Sequence, residues 1–482
     1  MNSADIKAIT EKFGPPGYEN DRHKFSKLNE PFWAAYYAAQ CAKLIFEPEE
    51  REFYDYDDET GIFVPKSSDR IRTELSEMVM AGAKNWDGFS AMQQFRSDRH
   101  LSGIVAHLRG QVEERDFFKS SHYVHLGNCT LKFKPDGSSF TIENFSPQHR
   151  SRNRSPINYA PDATCPKFEK KILGHIPEED RELIKKYSGQ CLLGRNLTQR
   201  FLILDGEAGA SKGALVLILS GIVGPENVYE LRTRLLSERF EIGRMLRRTL
   251  LVGSDVKGNF LSEDGAYRIK SLVGGDHLAA ERKGSNSDFY VYGTFNIILT
   301  SNVRLRMRLD EDRKAWERRT MIVRYDKPYE GERIFEIDKR LLETEAAGIL
   351  NWCIDGLKLL FQDYATNNDI ILSQNQITRV SDLLSESDSL RLFVSNEIVR
   401  DTGQRPNKES YSLTVDEIIA EYIDDCVNSK NWIPVPYSVA EKRLPDLMIR
   451  YFGITKSHGI PRGDKLKRGF WNVRFSESYL NT

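Results

Sequence analysis

Nine residues near the middle of the chain, GEAGASKGA (206–214), bring together what phosphate chemistry needs: glycines for close backbone approach and a lysine ammonium. Gly206, Gly209, Ala210, Ser211, Lys212, Gly213 and Ala214 would form a loop whose N–H groups point at phosphate oxygens, with Lys212 reaching the terminal ones. Two fixed positions of the usual G-x-x-x-x-G-K-[ST] pattern are altered. Ser211 stands where a glycine normally precedes the lysine, and Gly213 where a hydroxyl normally follows it. The first change asks a residue with a side chain to take an unusual backbone angle, at a cost of order 1 kcal/mol. The second removes a hydroxyl that helps to hold Mg²⁺. A glycine-rich turn between strand and helix has the same composition, so the neighbouring residues decide.

Downstream positions supply the other groups. RRTLLVGSDV (247–256) reads as a buried strand ending on Asp255, an acid able to hold Mg²⁺ directly or through water and to polarise an attacking water. GTFNIILTSNVRLRM (293–307) is a further such run, with Asn302 placed to sense a terminal phosphate. DEDRKAWERRTMIVRYD (310–326) sets Arg318 and Arg319 just ahead of a fourth strand, where a guanidinium would neutralise transition-state charge in a neighbouring subunit's site. Each feature alone has a structural reading. Their order and spacing together argue for nucleotide chemistry.

The elements that must position these groups come in the required order. RFLILDG (200–206) is a strand run closing on glycine and KGALVLILSGIVG (212–224) an apolar helix closing on glycine, which gives strand, loop and helix. Alternating β-rich runs and helices from about 166 to 330 predict an α/β nucleotide-binding domain. Ahead of it, the apolar helical stretch PFWAAYYAAQCAKLIF (31–46) mixes with strand-like pieces punctuated by D-E-T-G and P-D-G turns. With 482 residues the chain exceeds one compact core, and three regions are expected: a mixed α+β region at 1–165, the nucleotide-binding core at 166–370, and a C-terminal domain at 371–482. A net charge of −1 means that any nucleic-acid surface must be local. No apolar run approaches the roughly 18 residues of a membrane helix, and the start carries no apolar signal core, so a cytoplasmic, membrane-free protein is expected. The six cysteines form no CxxC pair and are expected to be reduced and buried rather than zinc ligands.

RIKSLVGGDHLAAERKGSNSDFYVYGTFNIILTSN (268–302), followed by AWERRTMIVRY (315–325), resembles the superfamily 3 helicase core of phage and plasmid primase-helicases, the group that includes the poxvirus primase-helicase. The likeness continues through INYAPDATCPKF (157–168), the segment 178–206 and LLETEAAGILNWCIDGLKLL (341–360), covering about residues 100–400. It implies an AAA+ P-loop fold, ATP and Mg²⁺ bound between the subunits of a ring, most often a hexamer, and unwinding of DNA. By the same resemblance Lys212 is the phosphate-loop lysine, Asp255 the magnesium-site acid, Asn302 the sensor, and Arg318 or Arg319 the arginine finger supplied in trans. The ERKGSNSDF turn resembles the hairpin that grips single-stranded DNA in the channel, with Arg282 and Lys283 as its cations. Relatives of this type tolerate a glycine after the lysine, whereas Ser211 is the less familiar departure. Asp255 is followed by Val256 rather than a second acid, which leaves the catalytic base to Asp255 itself or to Glu241.

Near the C-terminus, residues 441–475 carry nine Lys and Arg against three acids, with apolar spacing for a helix followed by a β-hairpin. The pattern resembles the winged-helix domain that these helicases often carry, with Arg462, Lys465, Lys467 and Arg468 as contacts to duplex DNA. The N-terminal region shows neither an acid-x-acid pair with a suitable histidine motif nor a zinc cluster, so a separate primase or replication partner is expected. The function expected is an ATP-dependent DNA helicase or translocase in the replication of a mobile element. The alternative is an ATP-binding, weakly hydrolysing DNA loader or scaffold.

Overall fold

The structure, a computed structural model, describes residues 3–479 apart from 23–24, 86–89, 120–121, 264, 283–287, 310–312, 329–330, 332–333, 402–411, 431 and 477–478. Its centre is a five-stranded sheet built from β1 (Phe201–Gly206), β2 (Val228–Glu230), β3 (Leu250–Gly253), β6 (Asn296–Ser301) and β7 (Thr320–Tyr325). An antiparallel pair, β4 (His277–Ala280) and β5 (Phe289–Tyr292), lies between β3 and β6 in the chain. The sheet order is β2-β3-β6-β1-β7 and every pairing in it is parallel.

Parallel strands need crossovers that cover both faces, and the side chains divide accordingly. Leu202, Leu204, Leu250, Val252, Ile298, Met321 and Val323 pack on one face with α1 (Glu178–Leu193), α2 (Lys212–Val223) and α4 (Ile337–Asn367). Phe201, Ile203, Leu251, Ile297, Leu299 and Ile322 pack on the other with Trp316 of α3 (Arg313–Arg319), the β4–β5 hairpin and Leu383 of α5 (Gln374–Glu386). Burial on both faces is why these strands read as unbroken apolar runs. In α2 Leu215, Val216, Ile218, Leu219 and Ile222 are buried between the sheet and α4, whereas Leu217 is exposed. Helices α1 and α4 approach closely at Gly356, where a Cβ would stand 1.9 Å from the Lys185 carbonyl oxygen.

The first part of the chain packs helices Glu30–Gln40, Ser68–Asn85 and Asp98–Gln111 around Phe32, Trp33, Leu75 and Ile104. One three-stranded antiparallel sheet lies between the first two of these helices and a second follows the third, and both turn signals sit where strands reverse: Gly61 has φ 73° and Gly137 φ 68°. The second of these sheets (Tyr123–His125, Thr130–Phe133, Phe140–Glu143) places Val124, Leu131 and Phe133 in the same apolar cluster as α1, α2 and α4. The C-terminal part has its own core around Phe393, Ile418, Tyr422, Leu444 and Phe470. It contains α6 (Ser389–Glu397), β8 (Ser412–Thr414), α7 (Val415–Asp424), α8 (Tyr437–Phe452) and the hairpin β9 (Ser457–Arg462) with β10 (Lys465–Trp471), so a helix followed by a hairpin is present. Thr414 caps α7 in a reciprocal box with Glu417. All six cysteines are free, and five are buried. Among the described residues no helix is long and apolar enough to cross a membrane.

Candidate nucleotide site

The sheet reverses its winding beside β1: the chain runs from β1 to the far edge, returns through β3 and β6, and adds β7 on the other side. In open parallel sheets, ligands bind outside the carboxyl ends of the strands at such a point. The 206–214 loop is there. Gly206 has φ 123°, and a Cβ on it would stand 2.2 Å from the Tyr325 carbonyl oxygen of β7, so only glycine fits. The Glu207 N–H donates to that same oxygen at 2.8 Å and fixes the start of the loop. Gly209 takes φ 77° and Ser211 φ 62°, left-handed values. Ser211 therefore adopts the conformation expected of the missing glycine and carries the strain of a side chain there, roughly 1 kcal/mol or more. Ser211→Gly is expected to raise stability by up to about 1 kcal/mol. Denaturant unfolding tests this, and a clear loss of stability would show that the hydroxyl matters more than the strain.

Lys212 begins α2 and is buried, with its ammonium donating to the carbonyl oxygens of Gly206 at 2.9 Å and Glu207 at 2.7 Å. Burial lowers its pKa, and the nearby charges of Asp205, Asp255 and Glu207 oppose that shift. Asp255 and Asn302 overhang neighbouring strands, since Gly253 of β3 pairs with Leu299 of β6. The Asn302 amide donates to the Asp255 carboxylate at 2.5 Å, and the Asp255 N–H donates to the Thr300 hydroxyl at 2.8 Å. Asp255 has φ 52°, so this Thr300 bond holds a turn that the backbone does not favour. Residues 209–214, Asp255, Asn302, Thr300, Ser254, Lys171, Ile334 and Ile337 line one cavity of about 510 Å³.

Other predicted residues stand elsewhere. Arg318 and Arg319 precede Thr320, which pairs with Phe201 at the opposite end of β1 from Gly206. Five residue steps of strand, about 16 Å, separate the two ends, so neither arginine reaches the cavity of its own chain. Arg318 is exposed and donates to Gln199 at 2.8 Å, whereas Arg319 is half-buried and bonds the Ala315 carbonyl. Glu241 is buried between Arg232 and Arg244 and does not line the cavity. Of the hairpin cations, Lys283 lies outside the described residues. Arg282 is spent on the N-terminal part: it pairs with Glu52 at 2.9 Å, donates to the Glu50 carbonyl and covers the Phe289 ring. In the C-terminal cluster Arg462 is committed to Glu417 at 2.7 Å and to the Ser412 carbonyl at 2.6 Å, so it fixes β9 to α7 rather than facing outward. Lys465, Lys467 and Arg468 are exposed.

Residues without a sequence signature complete the surroundings. Asp205 is buried, with one carboxylate oxygen accepting from Arg304 at 3.1 Å and the other without a hydrogen-bond partner among the described residues. Arg304 also pairs with Glu386 of α5 at 2.9 Å. Tyr325 forms a wall behind Lys212, with the ammonium 5.7 Å from its ring.

Residues 204–319 match a family model described as a family of unknown function (DUF5906). A stretch of 131 residues is 28% identical to the uncharacterized mitochondrial protein ymf21 of Marchantia polymorpha, covering 23% of this chain and 73% of that protein. Among solved structures, the A form apo structure of the NrS-1 C terminal region (305–718) superposes at a TM-score of 0.43 and 11% identity, over 92% of this chain and 100% of that one. A second A form apo structure of that region gives 0.42 and 13%, over 91% and 99%. These are loose superpositions.

A nucleoside triphosphate with magnesium would need a cation for its phosphates and a carboxylate for the ion, and Lys212 and Asp255 bring both to one cavity. A buried ammonium is held at the base of the loop, and one carboxylate faces the same cavity. Mg²⁺ commonly takes only one or two protein carboxylates besides phosphate oxygens and water.

Proposed function

We propose that the chain is an ATP-dependent, ring-forming DNA helicase or translocase, most readily a hexamer, serving the replication of a mobile element. The observation that carries this reading is the convergence of Lys212, Asp255 and Asn302 on one cavity while Arg318 lies exposed at the far end of the sheet. Such a division suits a site shared between subunits, with the loop on one and the finger on the next. The N–H groups of 208–213 would hold phosphate oxygens, the Glu207 N–H being spent on Tyr325, and Lys212 would leave its carbonyl partners for the terminal phosphate. Asp255 would hold the ion, and Mg²⁺ when bound would neutralise charge on the phosphates. Asn302, already bonded to Asp255, would report the state of the terminal phosphate to β6 and thence to the β4–β5 hairpin. Asp255 is the acid best placed to orient the attacking water, since Glu241 is spent elsewhere.

The weakly hydrolysing loader is the second reading. It draws support from Ser211 and Gly213, which strain the loop and omit a hydroxyl. Electron-microscopy class averages with an ATP analogue and single-stranded DNA test the architecture. Six-membered rings with a filled channel support it, and particles that stay monomeric count against it.

The C-terminal helix and hairpin support a winged-helix role in duplex binding, through Lys465, Lys467 and Arg468. Replacing all three by Ala is expected to weaken duplex binding and to flatten its salt dependence by roughly one unit of slope per lost phosphate contact. Titrations between low and moderate salt measure this, and an unchanged slope would remove the functional content of the assignment. Arg462→Ala should instead lower stability.

A further inference from the structure

A second cavity, of about 400 Å³, lies at the opposite end of the core sheet from the 206–214 loop. It is walled by residues 149–155, the end of α1 with Arg195, residues 247–249 just ahead of β3, and the base of the β4–β5 hairpin at His277 and Tyr292. No residue lines both this cavity and the one at Lys212. Its volume lies in the range of small-molecule sites, roughly 300–1,000 Å³.

Its charge is unbalanced. Seven Lys and Arg face it against three Asp and Glu. Arg152, Arg247 and Lys119 are neutralised by Glu50, Glu52 and Asp116. Arg150, Arg154, Arg195 and Arg248 have no carboxylate within 4.0 Å among the described residues. Arg154 and Arg195 donate to the backbone carbonyls of Thr60 and Lys119 at 3.4 and 3.2 Å, Arg248 donates to that of Glu226, and Arg150 stacks on Phe117. The Nε of Arg248 is buried with no hydrogen-bond partner among the described residues. Arg154 feels the charge of Asp57 at longer range, but guanidiniums brought together without a paired carboxylate repel one another, and phosphate oxygens match their fork of donors.

The floor adds unspent hydrogen-bonding groups. His125 is only 3% exposed, yet neither ring nitrogen has a hydrogen-bond partner among the described residues. His149 packs 5.4 Å from it, bonded to Glu143 through Nε2 and with Nδ1 buried and without a partner among the described residues. A buried imidazole with both nitrogens unsatisfied is costly unless something meets them.

We propose that this cavity is a binding site for a small phosphorylated molecule of nucleotide size, separate from the ATP site and recognised by Arg150, Arg154, Arg195 and Arg248 with His125 and His149. Its occupant would touch the N-terminal part and the hairpin base together and so bias how the two sit against each other. Glu52 already pairs with both Arg247 of one cavity wall and Arg282 of the hairpin.

The test is calorimetric titration of the full chain with ATP and with inorganic triphosphate, together with amide hydrogen exchange of the unaltered protein. Two ATP-binding events are expected, one lost in Lys212→Ala and the other weakened at least tenfold in Arg154→Gln/Arg248→Gln. Inorganic triphosphate should slow exchange at 147–155 and 247–249 of the unaltered chain, a readout that needs no variant to fold. A single binding event abolished by Lys212→Ala, with no protection at those segments, would overturn the proposal. So would protection there by a single-stranded oligonucleotide and not by triphosphate, which would assign the cavity to a nucleic-acid strand. If the ATP-site reading alone is wrong, the event sensitive to Lys212→Ala disappears from the unaltered chain while the protection remains.

Discussion

Lys212→Ala is expected to bring ATP turnover to background in a protein that still unfolds cooperatively. The ammonium is the cation at the base of the loop, and its loss leaves the terminal phosphate without the charge that Lys212 would bring. The fold should pay little. Lys212 makes two hydrogen bonds to loop carbonyls, and those oxygens lie beside an open cavity where water can replace it, so the stability loss should be about 1–2 kcal/mol. Turnover at the unaltered rate in a folded variant would reject the site.

Arg318→Ala should lower turnover by about a thousandfold or more while ATP still binds, the range that an arginine finger supplies. The exposed guanidinium at the start of β7 has its own cavity out of reach, so its effect must come through a neighbour. Its hydrogen bond to Gln199 is a surface contact whose loss should hardly affect stability. Mixing Arg318→Ala with Lys212→Ala subunits should restore part of the activity, because some interfaces then pair an intact loop with an intact finger. Mixed rings with no recovery at any ratio would contradict a shared site. Arg319→Ala is the comparison: half-buried and bonded to Ala315, it should cost stability more than turnover.

What was legible in the sequence is what local pattern encodes. RFLILDG and NIILTSN carry the unbroken apolar runs 201–204 and 297–299 because both faces of their strands are covered, and that run-on character marks a parallel sheet. The loop was legible from glycine spacing, and Ser211 was foreseen as strained, as its φ of 62° bears out. The juxtaposition of Asp255 and Asn302 was not legible, because it depends on β3 lying beside β6 in a register that only the folded sheet sets. Arg282 and Arg462 illustrate the other limit. Each sits in a basic stretch that reads as a nucleic-acid surface, yet Glu52 and Glu417 reach them from 230 and 45 residues away in the chain. Asp205 was missed because one acid closing an apolar run carries no signal until Arg304 is seen beside it. The arginines around the second cavity were missed for the same reason, since their lack of a paired carboxylate is a property of three segments that meet only in the fold.

Steady-state ATP hydrolysis by the unaltered chain, with Mg²⁺, with and without single-stranded DNA, tests the central claim most directly. The account predicts Mg²⁺-dependent turnover that depends on Lys212 and rises several-fold when single-stranded DNA is added. ATP that binds but is hydrolysed no faster than by Lys212→Ala, with or without DNA, would contradict it.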